Sequence, residues 1–149
     1  MKNILRHKDM QQLLERLNKL QPTSQPLWGT MTPAEMLWHL RSQLELALNI
    51  KQQKNYKKTI VAFPPVRFLS LFVVPFPKNF KTAGAMNAKK HLEEINDFDK
   101  EKEMLLLRLQ QTLLAPQLKP HPLFGKMNKY FWGRLIWKHT DYHLRQFGY

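Results

Sequence analysis

Proline placement limits this chain more than any other feature. The ten prolines stand at positions 22, 26, 33, 64, 65, 75, 77, 116, 120 and 122. Proline removes a backbone donor and clashes with the preceding turn, so helices must lie between these positions or begin on them. The stretches that remain carry apolar residues at helical spacing. Residues 5–20 have Leu13, Leu14, Leu17 and Leu20 recurring at three and four. A second stretch opens on Thr32-Pro33-Ala34-Glu35, where threonine is a good N-cap, proline suits the first turn and glutamate completes a capping box. That helix is expected to run to about residue 49 or 50.

A third helix is predicted over about residues 88–114, with Leu92, Ile95, Phe98, Leu105, Leu109 and Leu113 toward the core and the acidic residues facing water. The fourth spans about 128–146, with Trp132, Leu135, Ile136, His139, His143 and Gln146 on one stripe and Gly148 as its stop. Residues 51–87 are too many for a helix–helix turn and too rich in proline for a long helix. They read as a crossover with one short helix around 66–73. Strand signals are poor throughout. The expectation is an all-α chain: one domain over 1–149, a four-helix bundle with a long crossover between the second and third helices. Bundles of this kind can hold a metal between facing helices.

Composition narrows the chemistry. No cysteine is present among the 149 residues, so disulfides, thiolate metal sites and cysteine nucleophiles are excluded and any metal must use His, Asp or Glu. The net charge is +13, from 24 Lys and Arg against 11 Asp and Glu, which invites a nucleic-acid reading. Clustering argues against it. Six of the acids fall within 93–103, and the bases are spread out except for a short concentration at Lys51, Lys54, Lys57 and Lys58. Zinc-finger spacing, an RNA-binding aromatic motif and an arginine-rich arm are all lacking, so nonspecific attraction to anions is expected and dedicated nucleic-acid binding is not. The most apolar run, residues 60–77, is interrupted by Arg67 and four prolines and does not read as a membrane span. The first residues lack the pattern of a secretory signal, so a cytoplasmic location is expected.

Three histidines draw attention. His139 and His143 are four apart on the fourth helix, one turn apart on one face, close enough to share a divalent ion. A pair of this spacing is more often solvated or hydrogen-bonded, but here it lies on an apolar stripe, where two unliganded imidazoles need other partners. His39 lies in the second helix on the face of Met36, Gln43 and Leu46 and also points inward. Three inward imidazoles on two helices can supply three neutral nitrogen ligands and leave positions open for water or substrate. Gln43 and Gln146 stand one turn beyond His39 and His143, placed to hold a metal-bound water or to make ordinary core hydrogen bonds. Glu35 is one turn before His39 but is already explained by the capping box. Asp141 faces away from the stripe and is expected to pair with a cation. Arg145 is expected at the carboxyl end of its helix or against an anionic substrate. His121, followed by Pro122, is read as shaping a loop, and His7 and His91 show no partner signal.

These residues resemble a known family. Trp28, a Thr32-started helix bearing Trp38-His39, a long crossover and a last helix with His139 and His143 follow the order of the DinB-like (YfiT-like) bundles. The runs 121–127 (HPLFGKM), 137–148 (WKHTDYHLRQFG) and 27–32 (LWGTMT) are similar to a branch of bacterial DinB-related domains of unknown function. The resemblance covers most of the chain from Leu5 onward. It implies a four-helix bundle, often dimeric, with nickel or zinc held by three histidines, and His39, His139 and His143 match those positions. Relatives include metal-dependent thiol S-transferases and hydrolases acting on thiol conjugates. Two functional readings follow. One is a divalent-metal-dependent enzyme whose basic surface helps to collect a small acidic substrate or low-molecular-weight thiol. The other is a non-enzymatic basic helical bundle that binds an anionic partner.

Overall fold

The structure, a computed structural model, describes residues 1–52, 59–78 and 84–149. Among these it is all-helical, and the only sheet-like pairing is one isolated β-bridge, between His121 and Gly125. Lys54, Lys57 and Lys58 of the basic concentration, and with them part of the crossover, lie outside the described residues. Five α-helices are present among the described residues: α1 (His7–Lys19), α2 (Pro33–Ala47), the short α3 (Pro64–Phe68), α4 (Phe98–Leu114) and α5 (Lys129–Gln146).

Helix α2 begins where the sequence signals it. Thr32 Oγ1 accepts from Glu35 N and the Glu35 carboxylate accepts from Thr32 N at 2.7 Å, so two otherwise orphaned amides are satisfied reciprocally. This helix is buried almost all round. It packs along α4, and its Leu37, Leu40 and Leu44 join Leu13 and Leu17 of α1, Leu105 and Leu109 of α4 and Leu135, Ile136 and Leu144 of α5 in one core. Helix α1 lies against α5. A helix enclosed in this way must satisfy its polar residues internally. Arg41 does so with two bonds to Glu101, at 2.8 and 3.1 Å, and one to Glu45 at 2.8 Å.

That network corrects two expectations for the third long helix. The acidic cluster does not all face water, since Glu101 is completely buried against Arg41. The helix also starts at Phe98, ten residues later than the apolar spacing implied. Asp97 accepts from Lys100 N and caps it, while Asn87 caps a separate 3-10 turn through Lys89 N. Between the two caps His91 and Ile95 leave helical geometry, so residues 88–94 form two 3-10 turns and Leu92 is exposed rather than in the core stripe. Side-chain competition for backbone amides wins over apolar periodicity here.

The crossover carries its expected short helix in two parts, α3 and a π-helical turn, Leu69–Val73, that buries Leu71 and Phe72. Cations of α5 pin it down. Arg134 Nε donates to Leu71 O at 2.9 Å, and Lys138 Nζ donates to Ser70 O and Val74 O. Arg67 reaches Phe124 O and Lys126 O in the segment before α5. The last helix is capped by Asn128, whose side chain accepts from Phe131 N, and ends at Gly148 in a left-handed conformation, φ +85°.

Candidate metal centre

His39 of α2 and His139 and His143 of α5 converge. Nε2 of His139 lies 2.9 Å from Nε2 of His39 and 3.1 Å from Nε2 of His143, and the ring centroids are 4.7–4.8 Å apart. The other ring nitrogens face outward, each against an oxygen. Nδ1 of His39 meets Met86 O at 2.7 Å, Nδ1 of His139 meets Gln43 Oε1 at 3.0 Å, and Nδ1 of His143 meets Gln146 Oε1 at 2.8 Å. The Gln146 amide is itself oriented, because its Nε2 donates to Trp28 O at 2.7 Å.

These contacts dictate the tautomers. A carbonyl oxygen only accepts, so each Nδ1 carries the proton and each Nε2 presents a lone pair. Three lone pairs then point at one another with no proton between them, an arrangement satisfied by a cation. Extra protons are not available to fill the gap. Burial lowers the pKa of His39; it pushes that of His139 well below its ordinary value, with His143, His39 and His121 adding to the effect; and it brings His143 down to about 3. Three neutral, borderline-soft nitrogens in a buried cluster suit zinc, nickel or a similar divalent ion, so the donor set fits the metal that the sequence resemblance implies. A second group, His91, Glu93 and Glu94, also brings possible ligand atoms together. Its carboxylates are exposed; Glu94 pairs with Lys51 and with His91, whose ring stacks on Trp38, so it reads as a surface ion-pair network.

The imidazoles open onto a cavity of about 320 Å³ whose walls include Trp28, Val74, Phe76, Leu135 and Tyr142. No Lys, Arg, Asp or Glu lines it among the described residues. The net positive charge is therefore not concentrated on the cavity wall. Trp28 and Tyr142 are linked, indole Nε1 donating to the phenol oxygen at 3.3 Å.

Other sequence candidates fall elsewhere. The Glu35 carboxylate is occupied by the cap and by Lys89 at 2.7 Å. Asp141 pairs as expected with a cation, in fact with both Arg16 at 2.7 Å and Arg145 at 3.1 Å, which takes Arg145 to its own helix's carboxylate rather than to the helix end. Gln43 and Gln146 face the rear of the rings, and Gln43, one turn beyond His39, serves His139 across the helix interface. The Met86 carbonyl behind His39, together with Phe76 and Tyr142 on the cavity wall, was not singled out. A backbone carbonyl leaves no sequence signature, and an aromatic side chain does not by itself distinguish a cavity wall from a core.

Neither the comparison with curated proteins nor that with solved structures finds a match. The family comparison does, over residues 5–147, which include all three histidines, both glutamines and the crossover, and on that match the chain belongs to the DinB superfamily.

Proposed function

We propose that this chain is a divalent-metal-dependent enzyme of the thiol S-transferase or hydrolase type, with His39, His139 and His143 as the metal ligands and nickel or zinc as the ion. The single observation that carries this reading is the convergence of three imidazoles, Nε2 of His139 lying 2.9 Å from that of His39 and 3.1 Å from that of His143 while each Nδ1 meets an oxygen. Superfamily members typically bind a metal. A divalent ion with three such donors supplies a Lewis acid with open positions, able to lower the pKa of water or of a thiol toward neutrality.

The chain's own residues then divide the work. Gln43, Gln146 and the Met86 carbonyl hold the imidazoles in one tautomer and orientation, which raises their basicity as ligands. The apolar cavity wall excludes water from the reacting atoms. In this proposal the whole chain, 1–149, is one four-helix-bundle domain with Ser70, Val74, Phe76 and Met86 of the crossover lining the site, acting on a small molecule with a low-molecular-weight thiol as co-substrate, as a homodimer in the cytoplasm. No helix among the described residues is long and apolar enough to cross a membrane.

Metal analysis of protein purified without chelator tests the proposal, followed by a screen of low-molecular-weight thiols with and without the ion. About one divalent ion per chain, lost on His139→Ala, is expected. A metal-free, folded protein that resists loading would leave the basic bundle binding an anionic partner as the better account.

A further inference from the structure

His121 lies outside the imidazole cluster, yet it lines the same cavity and is only 4% exposed. It sits in a tight turn closed by paired backbone bonds between His121 and Gly125, at 2.9 and 2.8 Å, with Gly125 at φ +66°. Inside that turn Nδ1 accepts two backbone N–H groups, from Leu123 at 3.1 Å and Phe124 at 3.3 Å. A nitrogen that accepts carries no proton, so the neutral ring must hold its proton on Nε2. Burial lowers this imidazole's pKa to about 3, and the ring stays neutral at physiological pH.

The Nε2–H so defined has no acceptor among the described residues. Buried polar side-chain atoms that are sealed off without a partner are Trp38 Nε1, Ser42 Oγ and Arg67 Nε. His121 Nε2 is not one of them, and the ring stands on the cavity wall. A donor left without an acceptor costs free energy until something in that space accepts from it. Apart from the imidazole cluster with its two glutamines, and Thr30, Ser70 and Tyr142, the wall is largely apolar, and among the described residues it holds no Lys, Arg, Asp or Glu. A charged group entering it away from the imidazole cluster would shed its water without gaining a counter-charge, whereas an uncharged molecule with one well-placed acceptor would meet both requirements.

We propose that the cavity takes an uncharged, largely apolar substrate or substrate arm bearing one acceptor oxygen, and that Nε2–H of His121 donates to that oxygen. His121 is thereby a specificity-determining residue. This rests on the reading of the cavity as the substrate site beside the metal, and it names the class of molecule to be found there. A site built to hydrogen-bond an oxygen discriminates strongly against an analogue lacking it, because its own donor is then stranded.

Three naphthalene probes test it on the full chain, as purified and after chelator treatment, by isothermal titration calorimetry: 2-acetylnaphthalene, its hydrocarbon analogue 2-isopropylnaphthalene, and anionic 2-naphthoate. The ketone is expected to bind about tenfold more tightly than the hydrocarbon, with naphthoate weakest in the chelator-treated protein, where no ion can ligate its carboxylate. In His121→Asn the side-chain oxygen can still accept from Leu123 and Phe124 N–H, but the outer N–H is gone, so ketone and hydrocarbon are expected to bind alike with the hydrocarbon unchanged. A ketone preference that survives in His121→Asn, or tightest binding of naphthoate to the chelator-treated protein, overturns the proposal. Should that variant not fold, the ranking of the three probes on the unaltered chain decides. Metal content separates the two readings: ketone preference in a protein that holds no metal removes only the metalloenzyme, and a retained ion without ketone preference removes only the role of His121.

Discussion

Gln43 on α2 and His139 on α5 meet across the helix interface, with the amide oxygen 3.0 Å from Nδ1. The contact decides which nitrogen of His139 is protonated, and so turns an unprotonated Nε2 toward His39 and His143. Without the acceptor the ring can change tautomer or rotate. Gln43→Leu is therefore expected to weaken retention of a divalent ion about 10- to 100-fold while leaving the helical content intact. Equilibrium dialysis with zinc, alongside circular dichroism, checks this; an unchanged affinity would mean that the ring needs no support from α2.

The start of α2 is separable from the metal centre. Thr32→Ala removes the cap from Glu35 N and is expected to cost about 1 kcal/mol of stability in urea unfolding. Metal retention should not change, because the Glu35 carboxylate is engaged with Thr32 and Lys89. A parallel loss of metal would place Glu35 within the site.

Helix existence was legible wherever local signals agreed with one another. Thr32, Asn128 and Gly148 bound α2 and α5 within a residue or two of where the sequence places them, because caps and apolar spacing point the same way there. They conflict at α4. Asn87 and Asp97 both cap, and only the second starts the long helix, a choice made by the burial of Glu101 against Arg41 and Asn96 that no local pattern encodes. The histidine cluster was legible because a spacing of four fixes the face of α5 and the stripe fixes its direction. Its outer partners were not: the glutamines were visible as residues, but which ring each would serve depends on how α2 sits against α5. His121 shapes its loop as the sequence suggests, by accepting from Leu123 N and Phe124 N, but its place on the cavity wall was not legible. A loop histidine next to proline has a bland local explanation, and only the folded cavity shows what lies on the other side of the ring.

The Arg41–Glu101 pair is a buried contact that fails if one partner is removed. Glu101 is completely buried and offers Arg41 two bonds, with Glu45 and Arg108 completing the network. Glu101→Ala strands a buried guanidinium and is expected to cost about 3 kcal/mol or more. Replacing both members, Arg41→Met with Glu101→Leu, should recover much of that loss. Urea denaturation of the single and double variants gives the comparison, and a single variant within about 1 kcal/mol of the unaltered chain would show that Glu45 alone satisfies Arg41.

The buried neutral state of His121 sets a pH dependence whose sign is fixed. In the unfolded chain this histidine titrates near 6.5; in the folded chain burial lowers its pKa to about 3. Between those values the unfolded chain binds a proton that the folded chain refuses. Stability is thus unaffected by this group above about pH 6.5 and declines as pH falls toward about 3, by up to about 1.4 kcal/mol per pH unit from this residue. His121→Asn lacks the titrating group, so in chelator-treated protein its stability should fall less steeply with acid than that of the unaltered chain. Urea midpoints measured at several pH values over that window check the slopes. Parallel curves for the two proteins would mean that the imidazole takes up its proton as readily in the folded turn as in water, and the fixed Nε2–H tautomer would go with it.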